Sequence, residues 1–286
     1  MTMKRTILSA AALLVSASAL PFAASAVAQD AGTSADTVRD VVTVTARRRE
    51  ESLKDVPVAV SALSADQLDQ IGAQDITTLQ AITPNATVQV ARGSNSTLIS
   101  FIRGVGQQDP LWGFEPGVGL YVDDVYVARP QGAVLDIFDI ERIEVLRGPQ
   151  GTLFGKNTSA GVLNIITAGP EFEPGAGLEA TIGDYNYSRL SGYVTGPIIE
   201  DTLAGRLFAV RGQRDGYMDL FVEDDNGQLY QTDSDNQDFW SVRGQLEWTP
   251  SESVSGRIIA DYTERDEVCC SAAAWDYTPA GIALVN

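Results

Sequence analysis
The residue types that most often carry catalysis are thin in this chain. Its 286 residues include no histidine, so a Ser-His or Cys-His nucleophile and a His-ligated metal site are both excluded. No carboxylate pair stands in a recognisable acid–base context. Asp123-Asp124 has the chemistry of a metal ligand, but a hairpin turn accounts for adjacent aspartates more simply. Cys269 and Cys270 are the only cysteines. Neighbours rarely bridge each other without backbone strain, so they either bond partners elsewhere or are incidental. What remains is the chemistry of recognition, in two stretches. Asp40–Ala46, DVVTVTA, alternates β-branched residues and runs into Arg47, Arg48 and Arg49, with no nearby segment ready to pair with it. An unpaired extended segment can add itself to the sheet edge of another protein, where backbone hydrogen bonds supply affinity. Residues 106–117, GQQDPLWGFEPG, read as a loop that presents Trp112 and Phe114 together with Gln107, Gln108 and Glu115.

The elements that must position these residues begin behind an export signal. Lys4 and Arg5 precede an apolar run that ends in Ala26-Val27-Ala28, an A-x-A cleavage pattern, so residues 1–28 read as a signal peptide. Cleavage moves the formal net charge from −18 to −20. So acidic a chain is a poor match for nucleic acid, whose phosphates need a basic surface. At 44% hydrophobic residues the composition is not that of a disordered protein. No later stretch approaches the ~20 consecutive apolar residues of a membrane helix.

Residues 29–39 are small and polar and read as a leader, making 29–49 a flexible N-terminal segment. Val56, Val58 and Val60 alternate as in a strand. Ser64 and Gln67 form a capping box for a helix ended by Gly72, and Asp75 caps a second short helix stopped by Pro84. Strands follow in STLISFIRGVG, on both sides of Asp123-Asp124, and around the Gly-rich turn of IERIEVLRGPQGTLFGKNTSAGVLNIIT. Gly148, Gly151 and Gly155 read as turn residues. This small α+β domain covers 50–168, and GPEFEPGAG links it to the remainder.

From Gly177 helix signals stop and long alternating strands begin. Trp240, Val242, Gly244, Leu246 and Trp248 share one face, opposite Phe239, Ser241, Arg243, Gln245 and Glu247. The two tryptophans lie roughly 27 Å apart along a strand, nearer 20 Å after tilt, about the height of a membrane barrel's apolar band. Arg206 fits less well, because it shares a face with Phe208 and Val210. Connections alternate between short (GPIIEDT, TPSES) and long and acidic (220–237), as in a transmembrane β-barrel.

FIRGVG, YVDDVYV and IERIEVLRGPQGTLFGKNTSAGVLNIIT resemble plug-domain motifs of the TonB-dependent receptors of Gram-negative outer membranes, and DVVTVTA resembles their TonB box. The resemblance covers nearly all of the mature chain. It implies an α+β plug domain followed by the first antiparallel strands of a transmembrane β-barrel at 177–286. It implies a receptor that is not an enzyme and needs no cofactor, taking up a scarce small molecule such as a ferric siderophore or, alternatively, an oligosaccharide. Its partners are TonB, bound through Asp40, Val41, Val42, Thr43, Val44, Thr45 and Ala46, and outer-membrane lipid. Plug arginines of the family pair with barrel glutamates, and the matching positions are Arg103 and Arg147. Arg47–Arg49 either meet charge on TonB or form a solvated run. The loop with Gln107, Gln108, Trp112, Phe114 and Glu115 faces incoming substrate. Some five strands, where family barrels have 22, and a last residue that is not aromatic lead us to expect the front part of a longer receptor or a truncated product. The short leader leaves no room for a signalling domain. The competing readings are a soluble periplasmic binding module and, more remotely, an enzyme.

Overall fold
The computed structural model describes residues 43–269, apart from 50, 74, 92–93, 109–112, 130, 132, 134–138 and 224–226. The signal peptide, the leader, Asp40–Val42, Trp112 and Cys270 therefore lie outside the described residues. Cys269 is disulfide-bonded.

Two sheets organise the chain. The first mixes β3 (Ala59–Ser64), β7 (Val118–Val122), β8 (Val125–Tyr126), β9 (Ile140–Arg147) and β10 (Gly161–Thr167) in the order β3-β9-β10-β7-β8. Only the β10/β7 pair is parallel, with Leu163 opposite Leu120. Its strands are β-branched and apolar on both faces, as a doubly covered sheet requires. One face carries Ile143, Val145, Leu163 and Leu120. Helix α1 (Ala65–Gln70), a 3-10 turn at Ile76–Thr78, α2 (Leu79–Ile82) and the small sheet of β4 (Ala86–Val90), β5 (Leu98–Ile102) and β6 (Val105–Gln107) precede or interrupt these strands. Leu68, Ile76, Leu79, Val88 and Ile102 bring them onto that core. The expected capping box is present: Ser64 accepts from the Gln67 N–H and the Gln67 side chain accepts from the Ser64 N–H. Asp75 caps the 3-10 turn through the Thr77 N–H.

The turn between β7 and β8 places Asp123 and Asp124 at φ 46° and 67°, the left-handed pair of a tight hairpin. Both are engaged there, Asp123 by the Thr167 N–H and hydroxyl. The Gly-rich turn contains a short helix, α3 (Gly151–Phe154). Gly148 and Gly155 have positive φ as expected, whereas Gly151 starts the helix and does not. Gly106 and Gly161 leave no room for a side chain: a Cβ would stand 2.2 Å from the Ser100 carbonyl oxygen at the first and 2.3 Å from the Leu146 carbonyl oxygen at the second.

The second sheet is antiparallel, in the order β11 (Gly175–Ile182), β12 (Ser188–Ile199), β13 (Leu203–Arg214), β16 (Gln237–Ser251) and β17 (Val254–Arg265). The stretch 220–237, read as a loop from sequence, instead contains most of a hairpin of β14 (Met218–Glu223) and β15 (Leu229–Ser234). The Asp-Asp-Asn-Gly run between its arms is the hairpin signal that the acidity of the segment obscured. Among the described residues no helix is long and apolar enough to cross a membrane. The wall sheet is the element with the reach and the polarity to do so.

That polarity is inverted. Trp240, Leu246, Trp248, Ile258, Leu207 and Val194 are exposed on one face. Thr195, Arg206, Gln245, Ser241 and Ser191 are buried on the other, together with Phe208, Val210 and Phe239. Arg206, the misfit of the sequence pattern, lies on this inner face, across from Thr195 and Gln245 in the ladder.

Candidate functional site
Thr43–Ala46 was expected to have no partner within the chain, and the structure corrects this. Thr43–Val44 form β1, which pairs with β2 (Glu51–Ser52) in register Thr43 to Ser52 and Val44 to Glu51. Val44 and Ala46 are completely buried, against Leu146, Val162, Tyr121 and Phe154. They cover the second face of the plug sheet, the face opposite Ile143 and Val145. The physical reason is composition: β9 and β10 are apolar on both faces, so something must shield the second one. Burying one valine contributes about 1.5–3 kcal/mol.

Polar contacts fix the docked geometry. Glu144, on β9 and with no solvent exposure, accepts from the Thr45 N–H at 2.7 Å and from its hydroxyl at 3.1 Å. Arg142 Nε donates to the same carboxylate at 3.0 Å, and Asn164 lies at 3.5 Å. Arg48 and Arg49 are exposed, as a solvated run would be, yet all three arginines have acidic partners. Arg47 and Arg49 both grip Glu51, each with an Nη2–Oε1 distance of 2.5 Å. Together they hold its carboxyl down at about 2, the Arg47 hydrogen bond being the largest cause. Arg48 donates to Asp124 at 2.7 Å and lies over the Phe154 ring at 4.6 Å. Sequence reasoning missed Glu144. Its one signal is an acid between apolar neighbours in a strand buried on both faces.

The second region is the seam between plug and wall. Arg206 Nε and Nη2 reach Asp139, just before β9, at 3.0 and 2.5 Å, and both side chains are almost fully buried. The Arg206 guanidinium also lies 4.0 Å from the centre of the Tyr193 ring. Gln245 donates to the Ala168 carbonyl at 2.9 Å, the Arg257 guanidinium reaches Thr167, and the Thr195 hydroxyl accepts from the Glu171 N–H. The wall thus supplies two guanidinium groups, an amide and an accepting hydroxyl, and the other side supplies a carboxylate, carbonyls, a hydroxyl and one N–H. The Arg103 guanidinium lies beside Gly148, the residue that follows Arg147, 3.7 Å from where a Cβ would stand. Neither arginine has a carboxylate partner among the described residues, and Arg147 Nε is buried without an acceptor.

Of the loop expected to face substrate, Gln107 closes β6, Gln108 and Phe114 are exposed, and Glu115 is ion-paired with Lys156, whose pKa is raised by that hydrogen bond. Gln107 and Phe114 help to line a cavity of about 30 Å³ with Leu98, Ser100 and Arg129. That holds about one water. A larger space, about 510 Å³, lies along the seam beside Asp69, Glu141, Glu179 and Arg189.

With this geometry in place, comparison gives the class. Residues 52–162 match the family model of the TonB-dependent receptor plug domain. The chain thus carries the plug domain of a TonB-dependent receptor, followed by antiparallel strands similar to the early barrel wall of such receptors, and the relatives it matches are outer-membrane receptors of Gram-negative bacteria. It is 29% identical over 192 residues to the pesticin receptor of Yersinia pestis, which covers 66% of this chain and 28% of the relative. It is 31% identical over 245 residues to the iron-regulated outer membrane virulence protein of Vibrio cholerae, covering 76% of this chain and 35% of the relative. The ferric yersiniabactin uptake receptor FyuA of Yersinia pestis superposes with a TM-score of 0.60 at 25% identity, over 72% of this chain and 32% of the other. The chain therefore spans about a third of the length of such relatives.

Proposed function
We propose that this chain is the gated part of an energised outer-membrane receptor that takes up a scarce small molecule, with a ferric siderophore as the favoured substrate class. The observation that carries the reading is a folded plug joined by buried polar bonds to the inner face of a sheet whose outer face is apolar. A polar seam can break and re-form when the plug shifts, because each partner regains water on separation. The outer membrane has no nucleotide or ion gradient, so work must arrive from a partner that pulls. Asp40–Ala46 supplies the handle, a strand for the sheet edge of TonB. Arg103 and Arg147 await carboxylates of wall strands beyond those described. Gln107, Gln108, Trp112, Phe114 and Glu115 form the first surface a substrate meets. Iron is favoured over an oligosaccharide because relatives are named for iron regulation and ferric yersiniabactin uptake.

The test is growth of a strain lacking the receptor, complemented with the parent or with Val44→Pro, on single ferric siderophores as iron source. Proline removes a backbone donor and should abolish energised uptake while leaving ligand binding intact. Uptake that survives Val44→Pro removes the handle. Growth defects confined to a carbon source move the substrate from iron chelates to sugars.

A further inference from the structure
The two ends of the Asp139–Arg206 seam bond are held very differently. On the plug side, Asp139 is short and fixed by its backbone, which sits at φ 52° and whose carbonyl accepts from the Ala168 N–H at 2.9 Å. On the wall side, Arg206 is long and flexible, and a guanidinium that nothing steadies loses much rotamer freedom on meeting a carboxylate. Among the described residues, all of its side-chain hydrogen bonds go to Asp139. Its partner within the wall is the ring of Tyr193 on β12, whose centre lies 4.0 Å from the guanidinium carbon. A planar guanidinium can take a ring on its face and a carboxylate on its edge at once. The ring in turn needs room. Tyr193 stands directly opposite Gly177 of β11, and a Cβ at Gly177 would come within 2.5 Å of a Tyr193 ring carbon, so the ring lies across the bare glycine. Gly177, Tyr193, Arg206 and Asp139 all line the seam cavity.

We propose that Tyr193 is the positioning residue of the plug–wall tie: its ring, laid over Gly177, presents the Arg206 guanidinium edge-on to Asp139 and so keeps the plug seated. The role belongs to the electron-rich face of the ring, which attracts a cation, and an aliphatic side chain of similar size does not supply it. The same stack explains why a glycine stands inside β11, where a missing side chain weakens a strand. The use of the tie in uptake rests on the gated reading above, whereas seating of the plug can be read with neither TonB nor substrate present.

The experiment follows ion conductance of the complete receptor in planar bilayers as urea is raised, since release of the plug opens the lumen of the wall. Tyr193→Leu should raise the conducting fraction at a given urea concentration about fivefold over the parent, the factor that a modest cation–π contact supplies. Tyr193→Phe keeps the ring and should match the parent. Gly177→Ala leaves Tyr193 in the chain but takes its seat, so it should act as Tyr193→Leu does and should add nothing in a Tyr193→Leu background. Tyr193→Leu should likewise add little to Asp139→Ala, because positioning acts only through the bond it serves. If Asp139→Ala does not assemble, the pairing with Gly177→Ala carries the same comparison. Equal behaviour of Tyr193→Leu and the parent overturns the proposal. A Tyr193→Phe variant as leaky as Tyr193→Leu assigns the effect to the hydroxyl and overturns it too. Full additivity with Asp139→Ala or with Gly177→Ala makes the ring an independent packing contact, which also overturns it. A parent that conducts without urea overturns the sealed plug of the gated reading, and with it the tie that Tyr193 serves.

Discussion
The plug sheet and the wall sheet are built from the same alternating grammar and face opposite solvents. In the plug, β9 and β10 are apolar on both faces and each face is covered, one by helices and the small sheet, the other by the N-terminal segment. In the wall, the buried face is the polar one, with Arg206, Gln245 and Thr195, and the uncovered face is the apolar one, with Leu246, Trp248 and Ile258. Exposure alone therefore says nothing about cost. Val125 in the plug and Ile258 in the wall are each 68% exposed, yet a plug residue is expected to meet water and an outward-facing wall residue lipid. The difference shows that a residue's solvent must be known before its pattern can be read.

The largest expected effect breaks the bond that joins the two sheets. Asp139→Ala leaves the buried Arg206 charge without its partner and should destabilise the plug–wall unit by about 3–5 kcal/mol in urea unfolding of the bilayer-reconstituted receptor. A cost below about 1 kcal/mol would mean that water already serves the seam. Next is the matched pair of exposed positions. Ile258→Arg should cost about 2–4 kcal/mol in folding into bilayers, whereas Val125→Arg should stay within about 0.5 kcal/mol. Equal costs would place both sheets in water and restore the soluble reading. Smaller again is Gln245→Leu, which improves the hydrophobicity of the strand yet removes the donor to Ala168 and the acceptor of Arg257. It should cost about 1–3 kcal/mol, the opposite sign to what the same change would give on the outer face.

How much of this was legible depended on whether a signal was local. The capping box at Ser64 and Gln67, the Asp123-Asp124 turn and the face shared by Trp240, Leu246 and Trp248 each depend on residues a few positions apart, and each has its expected form. Arg206 was visible as a misfit, but its meaning lay in Asp139, 67 residues away, which no periodicity connects to it. Glu144 was invisible for the same reason, since its donor Thr45 is 99 residues distant. The docked segment was misread because alternation announces a strand and does not name its partner. The apolarity of Leu146 and Val162 on the face opposite Ile143 and Val145 was the available hint that something must cover them.

The smallest effect tests the rim of that docked segment against its buried centre. Glu51 is the partner strand's acid, and Arg47 and Arg49 beside it lower its carboxyl from 4.5 to about 2. A depressed carboxyl contributes stability that is complete above its ordinary value and is lost as pH falls through the folded one. Docking at this corner should therefore be indifferent to pH between 8 and 5, and should loosen as pH falls from about 4.5 towards 2. The reporter is a nitroxide at Thr43→Cys in the receptor reconstituted in bilayers, its mobility read by electron paramagnetic resonance and compared between the parent and Glu51→Gln so that effects of other groups cancel. Glu51→Gln should be slightly more mobile at neutral pH and should lack the acid step that the parent shows. Because these arginines stand at the surface, raised salt should shrink the difference, whereas Glu144, sealed beneath Val44 and Ala46, should hold the segment at any ionic strength. A label released by salt alone would shift the weight of docking from the buried carboxylate to the rim.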